Sequence, residues 1–155
     1  MKIEPDLSHL LREHPFLTGM DDSVYKLLSG CAKNTRYAAD EVLAKEGEPA
    51  DELFLIRRGR LAVELHVHHE PVVVRTYGPG ELVGWSWLVP PHRWAFDVRA
   101  VELTRAVSLD GACLRQKCEA DPSLGFELLR RFAHGIESEL VRSWTQMVDI
   151  YGTQQ

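Results

Sequence analysis

The residues best suited to binding chemistry lie between Gly80 and Ala100, in the stretch GELVGWSWLVPPHRWAFDVRA. Three tryptophans, two glycines, a Pro-Pro pair and two arginines are gathered there. Glycines permit backbone geometries that a side chain would block, and Arg93 carries a fixed positive charge suited to a phosphate or carboxylate. A short turn of helix at Trp85-Ser86-Trp87 would point backbone N–H groups at such a ligand. The same residues also fit a loop whose tryptophans complete a small core while Arg93 stays in solvent.

The elements that must position this stretch divide the chain into three parts within one expected domain, residues 1–155. They are N-terminal helices over 1–36, a β-roll over 37–109 and C-terminal helices over 110–152. The alternation in Leu61–Val67 and the recurring Gly/Pro turns predict short strands in a double-sheet roll or barrel. His14-Pro15 should end the first helix, because a residue before proline avoids the helical region. Asp110 and Asp121 should cap the two C-terminal helices.

The last helix is expected to run from Asp121-Pro122 to about Tyr151, a length of about 45 Å. Its apolar positions recur mostly in steps of four, which drift by about 40° per step, so the stripe cannot stay on one surface. We expect the first half to pack on the roll. The second half is expected to face a second copy in a two-fold dimer, through Ile136, Leu140, Trp144 and Met147. The alternative is a monomer whose C-terminal half frays.

Composition limits the classes of function. The chain has 155 residues, of which 45% are apolar and 26% charged, and a net charge of -5. This acidic balance disfavours a broad nucleic-acid surface. No apolar run approaches the ~18 residues of a membrane span, and the N-terminus lacks the features of a signal peptide. We therefore expect a soluble, cytoplasmic protein that does not bind a membrane.

The remaining reactive residues give weak signals. Cys31, Cys113 and Cys118 are an odd number in a chain without an export signal, which predicts buried or idle thiols. Glu64, His66 and His68 share one strand face, but a solvated hairpin tip explains them as well as a metal would. No catalytic order of Ser, His, Asp or Cys and no phosphate loop is present. We expect no metal site and no enzyme activity.

Three segments carry a resemblance to a known family. They are the N-terminal HPFLTGM from His14, the segment YAADEVLAKEGEPADELFLIRRG over Tyr37–Gly59, and a cassette that opens at Gly80-Glu81-x-x-Gly84 and closes at Arg93-x-Ala95. With them, nearly the whole chain resembles the cyclic-nucleotide-binding domain of the Crp/Fnr and protein-kinase regulatory-subunit superfamily. The resemblance implies a mostly β fold, a double-stranded β-helix (jelly roll) with flanking helices and a long C-terminal helix. It implies a ligand cassette of Gly80, Glu81, Gly84, Trp85, Ser86, Arg93, Trp94 and Ala95.

The cassette departs from the family pattern at two positions. Cyclic-nucleotide binders of this family place a glutamate on the ribose hydroxyl and a small or hydroxyl residue after the arginine, whereas this sequence has Trp85 and Trp94. An unpaired sugar hydroxyl would cost about 1–3 kcal/mol. An indole also fills volume that the nucleotide needs. Asp40 replaces a usual turn glycine, which Asp tolerates.

Three hypotheses for the cassette stay open. The favoured one is that the tryptophans fill it, which leaves a stand-alone regulatory domain that dimerises or docks to an unidentified effector protein. The second is a sensor in which Arg93 binds an unusual anionic or aromatic ligand, and the third is a distorted cyclic-nucleotide site. No cofactor is assigned beyond these. Transcription factors of the family carry a helix-turn-helix after the long helix, but no basic stretch follows Tyr151 here, so we expect no DNA binding.

Overall fold

Eight β-strands occupy the middle of the chain in the computed structural model, which describes residues 6–152. They confirm the predicted mostly β fold. Their bounds are Ala32–Tyr37 (β1), Val42–Ala44 (β2), Glu52–Arg58 (β3), Leu61–Val67 (β4), Glu70–Tyr77 (β5), Leu82–Val83 (β6), Asp97–Ala100 (β7) and Thr104–Asp110 (β8).

The strands form two antiparallel sheets of four, in the orders β1-β8-β3-β6 and β2-β7-β4-β5. Strands far apart in sequence are paired: β8 lies between β1 and β3, and β7 lies between β2 and β4. This is jelly-roll connectivity. The sheets do not close into one barrel, so the fold is the double-sheet roll of the two predicted alternatives.

The core lies between the two sheets. Phe54 and Ile56 of β3 and Leu61 and Val63 of β4 bring side chains from both sheets into one buried cluster. The cluster also contains Ala44, Ala50, Tyr77, Val83, Trp94, Val98 and Ala100. Trp94 belongs to the loop between β6 and β7, so the segment with the candidate site also supplies part of the core.

Two short helices precede the sheets. Helix α1 spans Ser8–Glu13, a 3-10 turn spans Pro15–Leu17, and α2 spans Asp22–Ser29. Helix α1 ends before His14-Pro15, as predicted. The first strand begins at Ala32, earlier than the predicted start of the roll at Tyr37. Its sequence AKNTRY is mostly polar, so it gave no alternating apolar signal.

The β4–β5 hairpin turns at His68 and His69, whose φ angles are +53° and +67°. Paired left-handed residues of this kind form a type I′ turn. The period of two correctly predicted strand β4, but Glu64 is buried and not solvated. Burial of this carboxylate is possible because Arg99 on the neighbouring β7 donates a hydrogen bond of 2.6 Å to it.

Helix α3 spans Gly111–Ala120, and the Asp110 carboxylate caps it by accepting a hydrogen bond of 2.7 Å from the Cys113 N–H. Cys113 forms a disulfide with Cys31, and their Cα atoms are 5.6 Å apart. The prediction of idle thiols was therefore wrong for this pair, whereas Cys118 is free. A sequence separation of 82 residues gave no local signal for the bond.

The chain divides into two compact units, one ending at Gln116 and one beginning at Lys117. The second unit is dominated by helix α4, Pro122–Gly152, which confirms the predicted long C-terminal helix. The Asp121 carboxylate accepts a hydrogen bond of 3.2 Å from the Leu124 N–H, as a cap should. Within residues 6–152, no helix has both the length and the apolar character to cross a bilayer.

Candidate functional site

The candidate ligand loop lies between β6 and β7 and begins at Gly84, while Gly80 precedes β6, and both glycines have left-handed backbones. Gly80 has a φ of +83° and Gly84 a φ of +110°. A Cβ at Gly84 would lie 3.0 Å from Cη2 of Trp94 and 3.3 Å from the Cα of Leu53. Backbone angle and lack of space therefore both require glycine at position 84. This close approach fixes the start of the loop against the Trp94 ring.

Glu81 holds the turn that leads into the loop. One carboxylate oxygen accepts a hydrogen bond of 2.6 Å from Arg75, and the other accepts one of 3.1 Å from the Gly78 N–H. The Arg75 guanidinium also lies over the Tyr77 ring, 4.1 Å from its centroid. The Glu81 carboxylate, which the resemblance places in the cassette, is thus engaged within the protein.

Trp85, Ser86 and Trp87 form a single turn at the position where the sequence predicted a short turn of helix. The turn is closed by the Leu88 N–H, which donates a hydrogen bond of 3.1 Å to the Trp85 carbonyl. The Trp85 ring is half-buried and packs edge-to-face on Phe96, with centroids 6.3 Å apart. A single turn lacks the summed dipole of a longer helix, so its attraction for an anion is weaker than that of a helix N-terminus.

Trp87 anchors this turn to α3. Its side chain is 1% exposed, and the guanidinium of Arg115 donates a hydrogen bond to its carbonyl oxygen. A Cβ at Gly111 would lie only 2.7 Å from the Cβ of Trp87. The absence of a side chain at Gly111 therefore lets the first turn of α3 reach the loop.

Arg93 and Ala95, which flank Trp94 in the loop, are exposed. The Arg93 guanidinium donates a hydrogen bond of 2.8 Å to the Gly47 carbonyl. The backbone here runs antiparallel to 47–50, because the Trp94 N–H donates to the Glu48 carbonyl at 2.9 Å. A guanidinium has five N–H donors, so one bond to the backbone leaves Arg93 with donors for an anion.

Trp94 lies inside the roll. Its side chain is 5% exposed, stacks on Phe54 with centroids 6.0 Å apart, and meets Phe96 edge-to-face at 5.8 Å. Aromatic pairs of this kind contribute about 0.5–1.5 kcal/mol beyond the burial of their surface. The indole therefore occupies the space between the sheets beside the Arg93 backbone.

His14 is a buried titratable group near the turn that precedes β6. It is 5% exposed, and its Nδ1 accepts a hydrogen bond of 3.2 Å from the Phe16 N–H. The next residue, Pro15, lies 3.3 Å from where a Cβ of Gly80 would be. Burial lowers the pKa of His14 below its ordinary value, so a neutral imidazole is favoured at this position.

Charged side chains on the second sheet are paired with one another. Arg99 donates to Glu64 at 2.6 Å and to Asp40 at 2.9 Å, and the hydrogen bond to Glu64 is the main reason that the pKa of Arg99 is raised. Nε2 of His66 lies 3.6 Å from an Asp97 carboxylate oxygen. In the part of the chain that the structure describes, no group of three or more His, Cys, Asp or Glu residues could hold a metal ion.

The second candidate surface is on α4. Leu124, Leu128 and Phe132 are buried on one face. A second row of apolar residues is exposed along the whole helix, at spacings of three and four that keep it within an arc of about 80°. We call this row the α4 seam; it comprises Phe126, Leu129, Ala133, Ile136, Leu140, Trp144, Met147 and Tyr151.

The four predicted dimer residues, Ile136, Leu140, Trp144 and Met147, all belong to the α4 seam. Leu140 is 46% exposed, Trp144 56% and Met147 53%. With Val148 and Tyr151, Trp144 and Met147 line a groove of about 450 Å³. Phe126 and Leu129 were not predicted, although their spacing to Ile136 is helical, because the predicted apolar ladder advanced mostly in steps of four from Leu124. Arg115 was also missed, since its partner Trp87 is 28 residues away.

The sequence of the loop and of most of the strands matches the model of a known protein family. The model of the cyclic nucleotide-binding domain matches residues 34–121, more than half of the chain. The chain belongs to the cyclic nucleotide-binding domain family. The match confirms the family that the sequence motifs indicated. No curated protein sequence matches the chain.

Solved structures of cyclic nucleotide-binding domains have the same fold. A cyclic nucleotide-binding protein from Geobacter metallireducens GS-15 is 26% identical, with a TM-score of 0.78 over 86% of this chain and 97% of that one. A cyclic nucleotide-binding domain from Methylobacillus flagellatus KT is 18% identical, with a TM-score of 0.80 over 92% and 85%. The regulatory subunit of a cAMP-independent protein kinase A from Trypanosoma cruzi, bound to guanosine, is 22% identical, with a TM-score of 0.60 over 82% and 49%.

Proposed function

We propose that this cyclic nucleotide-binding domain is a regulatory module that acts by dimerisation or protein docking and whose nucleotide site is degenerate. Membership of the family supports a regulatory or sensor role. We place it in the cytoplasm, with an effector protein as partner and without catalysis. The observation that carries the proposal is Trp94, an indole buried where the family has a small residue.

The cassette supports a degenerate nucleotide site in two ways. Trp94 stacks on Phe54 between the sheets, so a nucleotide would have to displace a core side chain. Trp85 stands in place of the ribose glutamate and packs on Phe96. Loss of that carboxylate alone is worth about 1–3 kcal/mol, which corresponds to about a 5- to 150-fold loss of affinity.

The α4 seam supports dimerisation or docking. Eight exposed apolar residues in one narrow row differ from the single surface hydrophobics that need no explanation. A second copy of the same helix is the simplest partner, because a two-fold axis brings the identical seam of each copy together. An effector protein with an amphipathic helix would fit the same surface.

The alternative function is a sensor at Arg93 for a cyclic nucleotide or another anionic or aromatic small molecule. One observation favours it. The exposed Arg93 uses one N–H donor in the hydrogen bond to the Gly47 carbonyl, and its guanidinium has further N–H donors for an anion. Relatives with this fold bind different ligands, since the Trypanosoma cruzi subunit binds guanosine and the regulatory domain of Toxoplasma gondii protein kinase A binds cAMP.

A ligand titration distinguishes these two functions. We expect neither heat nor a change in tryptophan fluorescence when cyclic AMP, cyclic GMP or guanosine is added to millimolar concentration. The variants Trp85→Glu and Trp85→Glu/Trp94→Ser restore the family residue types, and the double variant should gain binding. Trp85→Glu alters a half-buried side chain and tests the site even if the double variant is unstable. Saturable micromolar binding by the wild-type protein that Arg93→Ala abolishes would refute the degenerate site.

Analytical ultracentrifugation tests the dimer separately. Leu140→Glu/Met147→Glu puts two charges into the α4 seam and should weaken self-association at least a hundredfold, because each charge enters the interface in both copies. Thr145→Glu adds a charge on the opposite side of the same helix and should leave association unchanged. A wild-type protein that is monomeric at all concentrations would refute dimerisation through the seam and leave docking to an effector.

A further inference from the structure

We propose that the Cys31–Cys113 disulfide is a thiol-reactive modification site, which low-molecular-weight thiols reach and open, and that its reduction loosens the turn that carries Trp87. This inference goes beyond the proposed function. It requires neither a ligand at Arg93 nor a dimer, so its failure would leave both of those proposals in place.

Access to the bond is provided by a cavity. Both cysteines line a cavity of about 690 Å³ whose other walls include Lys33, Asp110 and Gln116. This volume is in the range of pockets that bind small molecules. Strand β1 is the outer strand of its sheet, so none of the strands within residues 6–152 pairs with its free edge.

The two cysteine residues differ in exposure. Cys31 is 5% exposed, whereas Cys113, in the first turn of α3, is partly exposed. Thiol exchange requires a direct approach to one sulfur. The Sγ of Cys113 is therefore the atom that an incoming thiol attacks.

The exchange proceeds in two balanced steps. The thiolate RS⁻ of a low-molecular-weight thiol attacks the Sγ of Cys113, the S–S bond breaks, and Cys31 leaves as a thiolate that takes up the proton lost by RSH. This yields a mixed disulfide on Cys113. A second RS⁻ attacks the R-side sulfur of that mixed disulfide, which releases RSSR and the Cys113 thiolate, protonated in turn. Overall, two RSH are oxidised to RSSR and the protein disulfide is reduced to two thiols.

The bond is connected to the ligand loop through the first turns of α3. Cys113 is two residues from Arg115, which donates to the Trp87 carbonyl, and two residues from Gly111, which packs against Trp87. On the other side, the Asp110 N–H donates a hydrogen bond of 2.9 Å to the Cys31 carbonyl. The disulfide thus tethers the start of α3 to the start of β1, and α3 holds the Trp87 turn.

A disulfide in the cytoplasm, the compartment that we propose for this protein, suggests a redox role for the bond. Glutathione and thioredoxin keep cytosolic thiols reduced, and the disulfides that do form there are usually transient and catalytic or redox-sensing. A disulfide in the wall of an open cavity meets that description better than one sealed in a core.

The chemical part is tested with reduced glutathione on the native Cys118→Ser protein, which removes the free thiol as a background. After acid quenching and alkylation, peptide mass spectrometry should find glutathione on Cys113 and not on Cys31, and then alkylation of both. Resistance of both cysteines until denaturant is added would overturn the proposal. Attachment of glutathione to Cys31 would overturn the assigned point of attack.

The structural part is tested by hydrogen exchange on the same protein, oxidised and reduced. The Leu88 amide, which closes the Trp87 turn, should exchange at least tenfold faster after reduction, while Ile56 in the core strand β3 keeps its protection. Unchanged exchange at Leu88 would refute the connection. Loss of protection at Ile56 as well would show a purely structural bond. Cys31→Ser/Cys113→Ser should reproduce the reduced state, and if that variant does not fold, the reduced protein decides.

Discussion

Replacement of Trp94 by alanine should be among the most destabilising changes to the roll. At 5% exposure the indole is almost fully buried, and such a ring removes about 200 Å² more from water than alanine does. At about 25 cal/mol per Å² this amounts to about 5 kcal/mol. The contacts with Phe54 and Phe96 add about 1 kcal/mol, while relaxation of neighbours lowers measured Trp→Ala costs to about 3–5 kcal/mol. We expect a loss of about 4 kcal/mol.

Equilibrium unfolding in urea, followed by circular dichroism, measures this loss. The matched control is Trp85→Ala, which removes the same side chain from a half-buried position with one ring contact to Phe96 and should cost about 1–2 kcal/mol. For a chain of this size the Trp94→Ala loss corresponds to a fall in Tm of about 8–16 °C. Equal costs for the two variants, at an unchanged slope in urea, would refute the placement of Trp94 in the core.

Three further predictions concern stability in urea. Because burial lowers the pKa of His14 below 6.5, the unfolded chain takes up the proton first as pH falls, so the free energy of unfolding is full above about pH 6.5 and declines below it. The variant His14→Asn, which keeps an acceptor near Nδ1, should lose less stability than the wild type between pH 7 and pH 5. Equal losses in the two proteins would contradict this. Gly59→Ala should cost about 3 kcal/mol of stability, because φ at this position is +86° and the added Cβ would meet the β7–β8 turn. The control Gly19→Ala, with open space around the added Cβ, should cost about 1 kcal/mol. Similar costs for the two variants would count against the steric argument. Arg99→Met should cost about 3 kcal/mol of stability by leaving the buried Glu64 carboxylate unpaired. The second substitution Glu64→Gln, added to Arg99→Met, should recover more than half of the lost stability. No recovery would show that the lost pairing does not cause the destabilisation.

Features with a local cause were predictable from the sequence. The break of α1 at His14-Pro15 and the caps at Asp110 and Asp121 depend on one or two neighbouring residues. Strand β4 was predicted by the alternation in Leu61–Val67, and the candidate ligand stretch by its glycines, tryptophans and Arg93. These signals, with the family motifs, sufficed for the fold.

Features that depend on contacts between distant segments were not predictable. The burial of Glu64 depends on Arg99, 35 residues away. The orientation of Trp94 depends on the strand that carries Phe54. Strand β1 is polar and is held by its pairing with β8, so its own residues gave little indication of it. The residues that make up the site could therefore be predicted from the sequence. That the protein's own side chains fill the space between the sheets could not.

The disulfide changes the covalent topology of the roll. Cys31 precedes β1 and Cys113 follows β8, so a single bond closes a ring that contains all eight strands. A ring of this length lowers the entropy of the unfolded chain by the equivalent of about 4–5 kcal/mol. A protease that cut the ring once, for example in the loop before Arg93, would produce no separated fragments. The two polypeptides would stay covalently linked through the disulfide until it is reduced. The oxidised roll can therefore be cleaved once without releasing a fragment.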